Sequence, residues 1–283
     1  MKFNKKKQTA FFLFFCTLIS ANSKKQQQIP SFDRAMVCHS IDEQTYKNLV
    51  TKRHPAAIPF EFFRQQYQEH IVSNKEDYQR IRIPKIIHQI WIGPKPFPEH
   101  CKKWQKSWLK LNPDWEYKLW TNEDLKNITL INQKYYDLEL NWGAKSDILR
   151  YEILEQFGGL YVDIDFECIK PFDWLHHYCD FYAGLLEIKR LKNKARLANG
   201  IIACSPHHPL MQKIIEELPN YRNNSNLLDR VGPDFFTSVV HTYMPECPGI
   251  NIIFPSNFFF SWSNKILIQP ETMAIHYYAG TWH

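Results

Sequence analysis

The residues with the sharpest chemical potential are Asp163 and Asp165, one residue apart and directly after the apolar run Leu160-Tyr161-Val162. Two carboxylates at i and i+2 on an extended backbone project to the same side. At the carboxyl end of a strand, that side faces the crevice where open α/β sheets bind ligands. Two unpaired carboxylates this close repel, and burying them is costly. A divalent cation removes the conflict. Mg2+ or Mn2+ prefers oxygen ligands and commonly completes its shell with phosphate oxygens of a substrate. An Asp-x-Asp triplet alone is common in solvated loops. The preceding Gly158-Gly159 and the apolar strand single this one out.

Two further groups are candidates to join it. Asp147 and Arg150 stand at i and i+3 on one helix face. As a surface ion pair they would contribute little. Facing the same crevice, Arg150 would meet an anionic or developing negative group, and Asp147 would accept sugar hydroxyls. The run from His276 to His283 reads either as a frayed end with core aromatics or as a lid over bound substrate. In the second reading His276 is a metal ligand and Trp282 covers a diphosphate.

These groups need a frame. Ile86-Ile87-His88-Gln89-Ile90-Trp91-Ile92, stopped by Gly93-Pro94, reads as a buried strand. Trp104, Trp108 and Leu111 recur at i, i+4 and i+7, predicting an amphipathic helix over 99–111 that Asn112-Pro113-Asp114 breaks. Trp115, Tyr117 and Leu119 alternate with Glu116 and Lys118 as a second strand. Thr121 or Asn122, followed by Glu123 and Asp124, reads as a helix start. Residues 143–157 predict a helix ended by Gly158-Gly159, and 160–162 a third strand. Strand, helix, strand, helix, strand argues for an α/β sandwich with a mostly parallel central sheet. Beyond Pro171 the pattern loosens: 181–186 and 250–254 are strand candidates and 210–218 a helix. In the polar stretch 24–82, Phe62, Phe63, Tyr67 and Ile71 predict an N-terminal helical extension.

The 283 residues are 44% hydrophobic and 23% charged, which excludes long-range disorder, and only 9 are Gly, which excludes a collagen-like chain. The formal charge is +6, but Lys2, Lys5, Lys6 and Lys7 precede the apolar stretch from Ala10 to Ala21, and without these four it is +2. The other basic residues are dispersed, so no nucleic-acid footprint is present. Residues 1–23 combine a basic start, an apolar stretch and the small residues Ala21-Asn22-Ser23, the pattern of a signal peptide. The apolar stretch is shorter than the roughly 20 residues that span a bilayer. An uncleaved anchor is the alternative, so the chain is expected to be exported or membrane-associated through its N-terminus. The seven cysteines include no Cys-x-x-Cys and no zinc spacing. Export would permit disulfides, and buried thiols are the plainer reading.

Four segments together resemble the DXD-motif glycosyltransferases of family 32: Ile83 to Gly93, Asn112-Pro113-Asp114-Trp115, Ala144 to Tyr151 and Gly158 to Asp165. Asn199-Gly200 and Gly232-Pro233 resemble further recurrent positions. That family includes fungal initiating mannosyltransferases and inositol-phosphoceramide mannosyltransferases; the large clostridial glucosylating toxins are more distantly similar. The resemblance covers residues 83–283. It implies a GT-A fold, a UDP- or GDP-hexose donor, Mn2+ or Mg2+, and retention of anomeric configuration on transfer to a glycan, lipid or protein hydroxyl. It further implies that Trp91 packs against the nucleotide, that Asp147 and Arg150 hold the donor sugar, and that Asn199 lies near it. Asp163 would contact ribose or sugar and help hold the metal, Asp165 would bind the metal directly, and Trp282 would reach the diphosphate. Gly280 departs from the toxin pattern, where a serine near this place assists the metal; Thr281 is the substitute one residue later. The rivals are a nonenzymatic sugar- or metal-binding module and a DxD phosphohydrolase of the haloacid-dehalogenase type. No Gly-Asp dipeptide for the latter occurs, and no His-Glu-x-x-His supports zinc protease chemistry.

Overall fold

The computed structural model describes residues 29–37, 44, 46–48, 60–73, 80–186, 195–260 and 268–280. The leader at 1–23 and Trp282 fall outside them. Two helices come first, α1 (Phe32–Met36) and α2 (Phe60–Ser73). They are followed by β1 (Ile86–Ile90), α3 (Lys102–Leu111), β2 (Glu116–Trp120), α4 (Gln133–Leu138), α5 (Trp142–Phe157), β3 (Gly159–Val162) and β4 (Phe166–Cys168). The later part holds α6 (Asp173–Tyr178), β5 (Phe181–Leu185), β6 (Leu197–Cys204), α7 (Pro209–Tyr221), α8 (Leu227–Arg230), α9 (Pro233–Tyr243), β7 (Asn251–Phe254) and β8 (Ala274–His276). Residues 31–283 cluster as one unit.

The main sheet has six strands in the order β2-β1-β3-β6-β5-β7. β1 runs parallel to both β2 and β3, and β5 parallel to β7. Only β6 is reversed, pairing antiparallel with β3 and β5. This is the mixed α/β, mostly parallel sheet that the alternating pattern predicts. The β-branched run of β1 lies inside the sheet with four of five residues buried, as a strand covered on both faces requires. β2 is an edge strand, exposed at Glu116, half-buried over 117–119 and buried at Trp120, so the alternation expected from its sequence is not seen in its burial. β4 and β8 form a separate two-stranded sheet.

α5 is the central helix. Asn141 caps it, accepting from Ala144 N at 3.0 Å, and Gly158 follows its last turn at φ 62°. Ten of its sixteen residues are buried, because it packs against β3, β6, α4 and α7. Its buried charges are all partnered: Glu152 accepts from the Ile131 and Asn132 amides at 2.7 and 2.8 Å, and Glu155 meets His207 at 2.8 Å. The next glycine, Gly159 at φ 89°, has no room for a side chain. A Cβ there would sit 2.7 Å from Ile86 O. That close approach seats β3 against β1, and the carboxyl ends of these two strands emerge side by side.

The helix start expected near Thr121 is only a single 3-10 turn, Asp124–Asn127. Its cause is local: Asp124 accepts from Thr121 N and Oγ1 at 2.9 and 2.6 Å and from Lys118, closing a turn in place of a helix.

Candidate active site

β3 ends at Val162, and the chain turns at once: Phe166 N donates to Asp163 O at 3.2 Å. The two acids therefore stand on a tight turn and not on extended backbone, which corrects the same-side geometry expected from their spacing. They converge by another route. One ligand atom each from Asp163, Asp165 and His276 lies within 4.8 Å of the others.

The antiparallel strand β6 supplies the floor. Asp163 N donates to Gly200 O at 2.9 Å, and a Cβ at Gly200 would fall 2.6 Å from Asp163 Oδ2. Any side chain at 200 would have to push this carboxylate aside. Asp163 Oδ1 accepts from Tyr161 OH at 2.6 Å and lies 3.4 Å from Arg150 Nη1. Burial pushes the Asp163 carboxyl up, Arg150 pulls it back, and Asp165 adds to the rise.

Asp165 is buried and is held from the C-terminal segment. Its Oδ2 accepts from Ala279 N at 2.8 Å, its backbone carbonyl accepts from Tyr277 N at 3.0 Å, and its Oδ1 lies 3.2 Å from His276 Nε2. Burial alone would raise this carboxyl, but His276 and the Ala279 amide prevail and hold it below the usual carboxylate range. β8 pairs with β4 so that His276 lies opposite Phe166, with the two rings stacked at 4.2 Å. His276 Nδ1 is buried with no hydrogen-bond partner among the described residues. Two carboxylates and an imidazole whose second nitrogen is unused are a donor set that fits a divalent cation.

Arg150 is buried beside this cluster. Its Nη1 donates to Asn199 O at 2.6 Å, its Nη2 pairs with Asp147 Oδ1 at 2.9 Å, and its guanidinium stacks 4.5 Å over the Tyr161 ring. Asn199 Nδ2 donates to Asp147 Oδ1 at 2.8 Å and to Tyr151 OH at 3.1 Å. Burial raises the Asp147 carboxyl to about 6, with Arg150 opposing. So Asp147, Arg150, Asn199, Asp163, Asp165 and His276 form one continuous group at the carboxyl edge of β3. Trp91 is buried one layer below, packed with Cys101, Trp104 and Ile164, and its Nε1 donates to Lys95 O at 2.9 Å. It touches the site through Ile164, the residue between the two acids.

The sequence reading did not single out Tyr161, Gly200 or the Ala279 amide. Tyr161 stood two positions before Asp163 on the same strand face, which was a usable signal. Gly200 carries in the sequence only its resemblance to a recurrent position, and a backbone N–H carries no sequence signal.

Comparison with known proteins agrees with this geometry. Residues 98–181 match the family described as a glycosyltransferase sugar-binding region containing a DXD motif. Inositol phosphoceramide mannosyltransferase 3 of Schizosaccharomyces pombe is 31% identical over 167 residues, covering 56% of this chain and 42% of that protein. An uncharacterized glycosyltransferase of Acanthamoeba polyphaga mimivirus is 30% identical over 174 residues, covering 59% of this chain and 68% of the viral protein. The chain thus spans less than half the length of the yeast relative. Among solved structures, the PaToxG glycosyltransferase matches with a TM-score of 0.50 and 26% identity over 58% of this chain and 70% of that one. With an acidic turn at the mouth of a mostly parallel sheet, and with these relatives, the chain belongs to the DXD-motif glycosyltransferase family.

Proposed function

We propose that this glycosyltransferase is metal-dependent and retaining, and that it moves a hexose from a UDP- or GDP-linked donor to a hydroxyl of a glycan, lipid or protein. The observation that carries the reading is the convergence of Asp163, Asp165 and His276 within 4.8 Å, next to a buried arginine. The imidazole in the donor set favours Mn2+ over Mg2+. A bound cation would neutralise charge growing on the departing diphosphate.

The protein's own groups do the rest. Asp163 and Asp165 would hold the cation through the turn that presents them. Asp147, aimed by Arg150 and Asn199, accepts hydroxyls of the donor sugar and sets its angle. Arg150 is already fixed among its partners, so its positive charge acts on the leaving side without reorganisation. Trp91, which packs with Ile164 behind the turn, is the residue expected against the nucleotide, and Trp282 is the residue expected at the diphosphate. No side chain serves as a covalent nucleophile. The acceptor hydroxyl attacks the face from which the diphosphate departs, through an oxocarbenium-like transition state, and positioning supplies much of the rate. Residues 1–23 act as a signal or anchor for export; among the described residues, no helix is long and apolar enough to cross a membrane.

The test is a panel of nucleotide sugars incubated with purified residues 24–283. Turnover is expected with Mn2+ or Mg2+ and not in excess chelator, with the product anomer matching the donor by NMR. Equal turnover in chelator overturns the metal role, and an inverted anomer overturns retention.

A further inference from the structure

Gln89, Tyr117 and Gln105 have no part in the chemistry above, yet they form one directional chain that ends on the acidic turn. Gln105, on α3, donates its Nε2 to Tyr117 OH at 2.8 Å. Tyr117, on β2, has one hydroxyl proton and donates it to Gln89 Oε1 at 2.5 Å. With its oxygen committed in this way, the Gln89 amide turns its Nε2 toward Asp163 and donates to the Asp163 carbonyl at 3.3 Å. The same carbonyl accepts Phe166 N, the bond that closes the turn carrying both acids. Gln89 is fully buried on β1, inside the sheet.

The chemistry of an amide makes this orientation consequential. A side-chain amide rotated by 180° would present Oε1 to the Asp163 carbonyl, and two acceptors repel. The Asp163 carbonyl can only accept and so selects the attractive rotamer, and the Tyr117 hydroxyl, donating to Oε1, holds it there. A leucine would fill a similar volume without needing partners, so a buried glutamine here is useful only for the bonds it makes. Four elements, α3, β2, β1 and the turn after β3, are joined by this one line of hydrogen bonds.

We infer that Gln89, oriented by Tyr117 and Gln105, is a positioning residue for the Asp163–Asp165 turn. Its effect on turnover rests on the metal-dependent reading above; its effect on the turn does not.

The experiment uses the full chain and the substitutions Tyr117→Phe and Gln89→Leu, alone and together. Tyr117→Phe removes one oxygen and leaves the packing in place. Amide hydrogen exchange across residues 163–166 is expected to rise about tenfold in each variant, with exchange along β6 and the melting midpoint retained. The Mn2+ concentration for half-maximal nucleotide-sugar turnover should rise about tenfold, the scale seen when outer partners of metal ligands are removed. The double substitution should do no more than Gln89→Leu alone, because the hydroxyl acts only through the amide. If Gln89→Leu does not fold, Tyr117→Phe decides by itself. Unaltered exchange in the turn overturns the inference, as does strict additivity of the two substitutions. A wild-type chain that turns over no nucleotide sugar with any divalent ion overturns the transferase reading, while the exchange measurement still decides the relay.

Discussion

Asp165 is fastened by Ala279 N and His276, whereas Asp163 is fastened by Tyr161, Arg150 and the floor of β6. The pair is thus built into two different parts of the chain, and single substitutions separate holding a cation from holding the fold. Asp165→Asn keeps an acceptor for Ala279 N and relieves repulsion with Asp163. The depressed carboxyl shows that His276 and the Ala279 amide outweigh that repulsion, so the melting temperature without metal should fall modestly, while turnover is lost; a collapse of the fold would make Asp165 structural. Gly200→Ala is the sharper steric test. A methyl group 2.6 Å from Asp163 Oδ2 must displace that carboxylate. Turnover should fall at least about tenfold, the scale of loss when a ligand's supporting groups are disturbed, and normal kinetics would show that Asp163 has freedom the close contact denies.

At the scale of elements, α5 matters most because its second and third turns carry Asp147 and Arg150. Its start is set by Glu139, whose Oε1 accepts from Leu140 N and Asn141 N at 2.9 Å each and whose Oε2 takes Arg230 Nη2 at 2.8 Å. Glu139 is buried and Arg230 nearly so, and they are joined across 91 residues of chain. Removing one partner of such a pair strands the other charge. Glu139→Ala should therefore cost about 3 kcal/mol, seen as a lowered urea midpoint. Helix α5 itself was legible in the sequence, since its cap, its apolar positions and its Gly-Gly stop are all local. β6 was not. Its first half reads Leu197-Ala198-Asn199-Gly200, residues with weak strand preference, and it is a strand because β3 and β5 bracket it. The α9 helix was missed as well, although Pro233 stands at its first turn in a favoured position.

At the scale of the molecule, three buried imidazoles among the described residues tie stability to pH. His88 Nδ1 accepts from Trp120 Nε1 at 3.1 Å while Nε2 faces Gly158 O at 2.9 Å, so the neutral ring is the one that fits. Burial lowers His88 to about 4, His176 to about 3 and His208 to about 4. In the unfolded chain these rings take up protons near pH 6.5. Stability is therefore complete above pH 6.5 and is lost as pH falls toward 4, because only the unfolded state binds the protons. The loss should reach roughly 1.5 kcal/mol per ring between pH 6.5 and 5. Urea unfolding at stepped pH measures it, and a flat profile over that range would contradict the buried neutral rings. The five described cysteines are free thiols, four of them buried, so the described part of the fold stands without disulfides.

What the sequence settled by itself was the set of parts read over short distances: the acids at 163 and 165, the helix with Asp147 and Arg150, and the strand runs around them. These are legible because propensity, capping and periodicity act within a few residues. Tertiary structure alone decided that the two acids meet on a turn, that Gly200 passes beneath one and Ala279 binds the other, and that His276 arrives from more than a hundred residues away. Those contacts depend on which strands become neighbours, and that choice is made by burial of the whole core.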